Sequence, residues 1–208
     1  MNEFSLSREI SRKSFHLLIL LFPAAFYFLG KWTSLAIIAP ITLIVLAVDY
    51  FRRTNPKLQL YFQKFFKAIL REQELAGEKF CGATWALLAA SSIFLICTEE
   101  IAVTAFVILA ISDTFAAIIG KSFISKPFFE KSTYGSVAFY ITGLIVLFAC
   151  GGMFHSRLWF YLFGFFALFC ATIIEARPSF FNVDDNFSVP ISFAAIMSSF
   201  DLIWNYSY

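Results

Sequence analysis

The sequence is short of charge, since Asp, Glu, Lys and Arg together make up only 14% of its 208 residues. A water-soluble globular domain usually carries about a quarter charged residues. Apolar residues make up 60% of the chain, 29 residues are Phe, and the mean hydropathy is +0.76. The composition therefore excludes a soluble globule and predicts an integral membrane protein.

Paired cysteines and the common motifs of soluble nucleotide and zinc enzymes are also missing. The four cysteines lie singly within apolar runs, so we interpret them as small buried hydrophobic residues without a metal or redox role. The sequence has no GxxxxGK(S/T) loop, no HExxH and no kinase-type GxGxxG. Any nucleotide or metal chemistry must therefore use a different arrangement of side chains.

Long apolar runs dominate the sequence that is present. A transmembrane helix needs about 20 apolar residues to cross a hydrocarbon core roughly 30 Å thick. We predict an all-α, polytopic bundle of about seven transmembrane helices, forming a single membrane domain over residues 1–208. The predicted spans are Ser14–Leu29, Trp32–Val48, Phe80–Cys97, Ile101–Ile119, Ser136–Met153, Leu158–Ile174 and Phe187–Trp204. We expect the first to be a retained helix, because no convincing signal-peptide cleavage site follows it.

The distribution of basic residues predicts the orientation. If seven spans alternate, only Lys31 and Arg157 of the 16 Lys and Arg residues fall on one side of the membrane. By the positive-inside rule the other side, which carries the N-terminus, is cytoplasmic. We expect a multi-pass protein of the cell inner membrane if the source is bacterial, or of an endoplasmic reticulum or plastid type membrane if it is eukaryotic.

The longest cytoplasmic connection is predicted to contain an amphipathic helix near residues 57–71. Apolar and basic side chains recur there at helical spacing on opposite faces. The apolar set is Leu58, Tyr61, Phe62, Phe65 and Ile69, and the basic set is Lys57, Lys64 and Arg71. We interpret this helix as an interfacial anchor in the headgroup plane. The alternative is a basic face that attracts anionic lipid or nucleotide.

Most of the hydrogen-bonding chemistry is predicted to lie at the same cytoplasmic face. If the spans alternate in direction, four polar stretches fall on this side of the membrane, at 12–16, 112–121, 131–136 and 175–186. Because they combine carboxylates with cations at one end of a helix bundle, they suggest a site that handles phosphate. We expect no nucleic-acid partner.

Asp113 is the strongest single indication of function. It lies inside the fourth apolar run, where an ionisable side chain is costly unless it faces protein, water or a metal. Ala116, Ala117 and Gly120 follow on one helical face, and such a stripe of small residues lets another backbone approach closely. The alternative is a structural carboxylate that caps a neighbouring helix.

Side chains from the other polar stretches would complete the site. Lys131 can meet a phosphate as a point charge, and Asp113 with Asp185 would suit a Mg²⁺ ion that bridges phosphates. Donors at the start of the fifth span are Ser132, Gly135 and Ser136. His16 and Arg12, at the inner mouth of the first span, either join this site or are ordinary interfacial residues.

In their order, these motifs resemble those of the dolichol kinase, phytol kinase and CTP-dependent diacylglycerol kinase family. The matching segments are RKSFH, REQELAGEKFCGAT, SDTFAAIIGK, KSTYGS and EARPSFFNVDDNFSVP. They cover most of the chain, from Arg12 to Pro190. The resemblance implies an integral membrane enzyme that phosphorylates a lipid alcohol, in several members with CTP as donor. The sequence departs from the family at Tyr134, where many members have Glu.

Roles for individual residues follow from this resemblance and from the chemistry of phosphoryl transfer. We expect Asp113 and Asp185 to hold Mg²⁺ and Lys131 to offset phosphate charge. Glu175, or else His16, is the expected general base that takes the proton of the alcohol. The expected nucleotide-binding residues are Arg12, Lys13, Lys121, Ser132, Gly135, Ser136 and Asn186.

The predicted reaction is phosphoryl transfer from CTP, or from ATP, to a polyprenol, a phytol-like alcohol or diacylglycerol. One alternative is a phosphatidate cytidylyltransferase, which has similar SDxxA and KSxxGS motifs but also a C-terminal KD…GHGG…DR signature that this sequence lacks. The other is a non-enzymatic small transporter or membrane scaffold. Against it, the outer face is nearly bare and no repeated halves with midplane polar groups are visible.

Overall fold

The computed structural model describes residues 13–14, 16–67, 70–179 and 183–206, and the described chain is almost entirely helical. A short 3-10 helix at Leu17–Leu20 leads into the first α-helix. The α-helices are α1 (Leu21–Leu29), α2 (Lys31–Thr54), α3 (Pro56–Phe66), α4 (Glu72–Leu75), α5 (Gly82–Ile96), α6 (Glu99–Ser122), α7 (Thr133–Met153), α8 (Leu158–Ala176) and α9 (Asp185–Tyr206). Two short strands, β1 (Pro127–Phe128) and β2 (Lys131–Ser132), lie between α6 and α7.

Within the described residues, five helices are long and apolar enough to cross a membrane. These are α2, α6, α7, α8 and the segment 185–203 of α9. Two further apolar helices, Leu17–Leu29 and Gly82–Ile96, are shorter. The prediction of a helical, polytopic membrane protein is therefore confirmed, with five of the seven predicted spans on helices of full length and two on the shorter helices.

Helix α6 is the central helix of the bundle. It contacts α1, α5, α7 and α9, and most of its side chains are buried. Small residues such as Ala102 and Ala105 lie on its buried surface, where Phe106 packs edge-on against Phe94 of α5 with 5.6 Å between ring centroids. Asp113 consequently lies on the most enclosed helix of the protein.

Helices α6 and α7 approach each other closely near the polar end of α6. A Cβ atom added to Gly135 would lie 3.0 Å from the carbonyl oxygen of Ala116 and 3.4 Å from the Cα of Gly120. One added to Gly120 would lie 2.6 Å from Ser132 Oγ. The close helix contact predicted from the small-residue stripe is thus present at the Ala116 carbonyl and at Gly120, where an added Cβ would lie too close to Ser132.

The sequence pattern does not predict the β-hairpin between α6 and α7. Its two strands pair antiparallel, so that Phe128 lies opposite Lys131. In the turn Phe129 adopts a left-handed conformation with φ of 55°. The Glu130 N–H then donates to the carbonyl of Ala176 at 3.0 Å. This bond fixes the hairpin against the end of α8 and so determines where Lys131 lies.

Helix α3 is the predicted amphipathic helix, and it ends earlier than the predicted range of 57–71. It begins after Asn55, whose side chain accepts a hydrogen bond from the Lys57 N–H at 3.0 Å. It ends at Phe66. Tyr61 and Phe65 of the predicted apolar face are exposed, as an interfacial helix requires.

Leu75, which lies beyond α3, is hydrogen-bonded back to that helix. Gln59 and Gln63 of α3 both donate from Nε2 to its carbonyl, the second of these bonds measuring 2.9 Å. Arg71 therefore lies beyond α3 and is not part of its basic face. Ile69 lies outside the described residues.

Candidate functional site

Asp113 is the centre of a buried ion cluster between the start of the chain and α6. Lys13 donates from Nζ to Asp113 Oδ2, and His16 Nε2 lies 3.1 Å from the same oxygen. His16 Nε2 also lies 3.4 Å from the carbonyl of Leu109. Lys13 and Asp113 are both buried. The structure therefore brings together three residues that the sequence marked separately.

Lys131 is the centre of a second cluster formed by β2, α8 and α9. Its Nζ lies 2.5 Å from Glu175 Oε1 and 2.8 Å from Asp185 Oδ2. Burial opposes the charge of this ammonium, but the two carboxylates outweigh burial and raise the pKa of Lys131 above its ordinary value. Lys131 is consequently a cation throughout the physiological pH range.

Each carboxylate that holds Lys131 keeps one oxygen unused. Glu175 Oε2 and Asp185 Oδ1 are buried and have no hydrogen-bond partner within the part of the chain that the structure describes. A buried acceptor without a partner is costly, so it is typical of a place where a ligand, an ion or water binds. Carboxylate oxygens are also the ligands that hard cations such as Mg²⁺ prefer.

The residues present are compatible with a Mg²⁺ ion that has few protein ligands. Among the described residues, no three or more His, Cys, Asp or Glu side chains are arranged as a metal site. Mg²⁺ in phosphate-transferring sites is commonly bound through one or two carboxylates, with the remaining positions taken by water and substrate phosphates. Asp113 and Asp185 could supply such a pair, and the unpartnered Asp185 Oδ1 is the better placed oxygen.

The start of α7 holds the predicted phosphate donors. Ser132 is the N-cap of this helix, because its Oγ accepts a hydrogen bond from the Gly135 N–H at 3.1 Å. The hydroxyl of Ser136 is buried and has no partner among the described residues. Ser132 therefore already has a structural role, whereas the Ser136 hydroxyl remains available to a ligand.

The other predicted nucleotide-binding residues have different positions. Lys121 is exposed in the last turn of α6, one residue after the close approach at Gly120. Asn186 lies in the first turn of α9, and its Nδ2 lies close to Gly82 at the start of α5. Arg12 lies outside the described residues. Tyr134 is exposed and packs edge-on against Phe123.

The sequence reasoning missed a buried network around Arg52, which is only 1% exposed. Its Nε lies 2.5 Å from Asp49 Oδ1, and one terminal nitrogen donates to the carbonyl of Glu74 at 2.7 Å. The second Asp49 oxygen accepts from the Thr84 hydroxyl at 2.5 Å and from the Cys81 N–H at 2.7 Å. The sequence signal for this network was a carboxylate and a guanidinium three residues apart, Asp49 and Arg52, at the end of the second apolar run. The network holds the end of α2 against residues 74–84.

A second missed group joins this region to the ion clusters. Arg71 lies 3.1 Å from Asp184 Oδ2, next to Asp185 in the sequence. Glu74 accepts from the Arg71 N–H at 2.7 Å and from the Gly82 N–H at 2.8 Å. Burial opposes the Arg71 charge, but Asp184 and then Glu74 outweigh it and raise the pKa of the guanidinium. Arg71 thus extends the site beyond the predicted residues.

All these groups lie at one end of the bundle. They come from the last turns of α6, from β2, from the end of α8 and from the start of α9, with residues 71–82 beside them. Carboxylates outnumber cations among them, so the charge of a bound phosphate group would need a further cation to offset it. The arrangement can therefore hold a metal-bound phosphate group at the end of an apolar bundle.

Comparison with known proteins leaves the family open. No family model and no solved structure matches the sequence. The chain is 27% identical over 203 residues to an uncharacterized protein of Rickettsia prowazekii (strain Madrid E). The similarity covers 94% of this chain and 96% of that protein, so it extends over nearly the whole length of both.

Proposed function

We propose that this protein is a lipid-alcohol kinase, which transfers the γ-phosphate of CTP, or of ATP, to the hydroxyl of a polyprenol, a phytol-like alcohol or diacylglycerol. The observation that carries the proposal is the pair of buried ion clusters, around Asp113 and around Lys131, at one end of a bundle of apolar helices. In this proposal the lipid tail would lie against the apolar helices, with its hydroxyl at the level of the clusters.

The arrangement supports phosphoryl transfer because this reaction depends mainly on alignment and on neutralising phosphate charge. Asp113 and Asp185 would hold Mg²⁺, which would supply positive charge to offset that of the phosphates. Lys131 lies beside Asp185 and would offset the charge that remains. The hydroxyl of Ser136, which has no partner among the described residues, would orient a phosphate oxygen.

The acceptor alcohol loses its proton as it attacks, so a base must lie within hydrogen-bond reach of it. Glu175 is the first candidate, because its Oε2 is buried and has no partner in the described part of the chain. Lys131 fixes the other oxygen and so orients this carboxylate. His16 is the second candidate, since its Nε2 already faces Asp113.

The proposed topology has seven spans, with both shorter apolar helices crossing the membrane and the N-terminus in the cytoplasm. The support is the charge asymmetry, because all basic residues except Lys31 and Arg157 would then share the cytoplasmic side. The ion clusters would lie at that side, where cytoplasmic nucleotide is available. Helix α3 would lie in the adjacent headgroup region.

The proposal is tested by incubating the detergent-solubilised protein with γ-labelled CTP or γ-labelled ATP, Mg²⁺ and a panel of lipid alcohols. We expect label in one lipid product, and its loss in Asp113→Asn. The matched control is Asp201→Asn, the same substitution on α9 near Glu100 at the opposite end of the bundle, which should keep activity. A thermal unfolding curve for each variant separates lost chemistry from lost folding.

Two results would overturn the kinase proposal. If no lipid is labelled but pyrophosphate is released from CTP and phosphatidate, the protein is a cytidylyltransferase. Phosphatidate attacks with an oxygen that is already anionic, so Glu175→Gln should then retain most of the activity. If neither reaction occurs with well-folded protein, a non-enzymatic transporter or scaffold is the better description.

A further inference from the structure

The segment 71–82, beside the ion clusters, is held in place by hydrogen bonds of buried side chains. The carboxylate of Glu74 joins its two ends, accepting from the backbone N–H groups of Arg71 and Gly82. The Arg52 guanidinium also holds the segment by donating hydrogen bonds to the carbonyls of Glu74 and Lys79. Because Arg52 and Glu74 are both buried, the backbone at Arg71 has a fixed position beside the site.

The Arg71 side chain lies between Asp184 and the protein surface. It contacts Asp184, whose side chain is only 11% exposed, while the Arg71 side chain itself is 50% exposed. The neighbouring carboxylate of Asp185 contacts Lys131. Arg71 and Lys131 thus pair with two carboxylates that are adjacent in the sequence, Asp184 and Asp185.

Two other arginines of this region have different surroundings. Arg52 is buried and uses its nitrogens on Asp49, Gln59, two carbonyls and the Cys81 sulfur. Arg53 is exposed and donates to the carbonyls of Gly77 and Glu78. Of the three, Arg71 is the one that combines exposure with a carboxylate of the ion clusters.

We infer that Arg71 forms a subsite for the outer phosphates of the nucleotide, which it shares with Lys131; this inference rests on the proposed kinase function and extends it. A guanidinium can donate two parallel hydrogen bonds to phosphate oxygens, whereas an ammonium acts as a point charge. Asp184 accepts from one terminal nitrogen of the guanidinium, so the other donors would meet the phosphate oxygens.

The test is binding of two probes, CTP with Mg²⁺ and inorganic tripolyphosphate with Mg²⁺, by titration calorimetry on the full-length protein in detergent. For Arg71→Gln we expect affinity for both probes to fall roughly 10- to 100-fold, as for loss of a hydrogen bond to a charged group. Arg71→Lys should recover part of the loss, because it keeps the charge but not the paired donors. Arg53→Gln is the matched control and should bind as the unchanged protein does.

The outcomes separate this inference from the kinase proposal. Equal affinity in Arg71→Gln and in the unchanged protein, or an equal loss in Arg53→Gln, overturns the Arg71 subsite and leaves the kinase proposal standing. If Arg71→Gln binds tripolyphosphate more weakly but the unchanged protein transfers no label to any lipid, the subsite is supported and the kinase proposal is overturned. If the unchanged protein binds neither probe, both are wrong. Matching unfolding temperatures for the variants show that the effect is not a loss of folding.

Discussion

Gly135→Ala is the substitution that most directly tests the contact between α6 and α7. The new Cβ would lie 2.9 Å from Ser132 Oγ, 3.0 Å from the Ala116 carbonyl oxygen and 3.4 Å from the Gly120 Cα. The serine side chain can rotate away, although this costs the N-cap hydrogen bond. The Ala116 carbonyl is part of the α6 backbone, so relieving that contact requires the two helices to separate by a few tenths of an ångström.

Forced separation of well-packed elements usually costs about 1–3 kcal/mol. For a chain of this size, 1 kcal/mol corresponds to a change in Tm of about 2–4 °C, so Gly135→Ala should lower Tm by about 2–12 °C. The measurement is thermal unfolding of purified protein in one detergent. The matched control is Gly152→Ala, in the same helix, where an added Cβ meets nothing within 4 Å. There the higher helix propensity of alanine should leave Tm unchanged or slightly raised.

One result would refute this reasoning. If Gly135→Ala unfolds at the same temperature as Gly152→Ala and the unchanged protein, then α6 and α7 are not in the close contact described. A loss of lipid-kinase activity without a change in Tm would instead point to a role of Gly135 in ligand binding alone. Tm and activity can both be measured on the same two variants.

Two further changes test the buried charges through the same unfolding measurement. Lys131→Met leaves the carboxylates of Glu175 and Asp185 without their cation, so the free energy of unfolding should fall by about 3–5 kcal/mol, as for breaking a buried ion pair. Adding Glu175→Gln should restore part of this stability. If it restores none, the pairing of Lys131 with Glu175 is wrong. Arg52→Lys keeps the charge beside Asp49 but cannot donate to all five partners of Arg52. We therefore expect a fall in Tm larger than that of Gly135→Ala. An unchanged Tm would show that the Arg52 network is dispensable for stability.

The sequence predicted the helices well because the driving pattern is local. Each long apolar run has only one way to satisfy its backbone in a membrane, which is to form a helix. The stripe from Ala116 to Gly120 likewise predicted a close helix contact from its own composition. Asp113 stood out because a carboxylate in an apolar run needs a partner, although the sequence did not identify Lys13 and His16 as the partners it meets.

The parts that could not be predicted depend on contacts distant in sequence. The apolar periodicity continues beyond Phe66, where α3 ends, and it gives no sign that Gln63 bonds to Leu75. The hairpin depends on a backbone bond between Glu130 and Ala176, residues with no pattern in common. Arg71 looked like part of an amphipathic face because its true partner, Asp184, is more than a hundred residues away.

The wide spacing of the charged partners has a consequence for biosynthesis. Because synthesis proceeds from the N-terminus, Lys13 and His16 are made long before Asp113, and the counter-charges are present when the carboxylate enters the bundle. Lys131, in contrast, is made before both Glu175 and Asp185 and receives its last partner only when α9 is added. The protein therefore assembles its first ion cluster early and completes its second with its last helix, so that a chain released before α9 would hold one finished half of the site and one unfinished half.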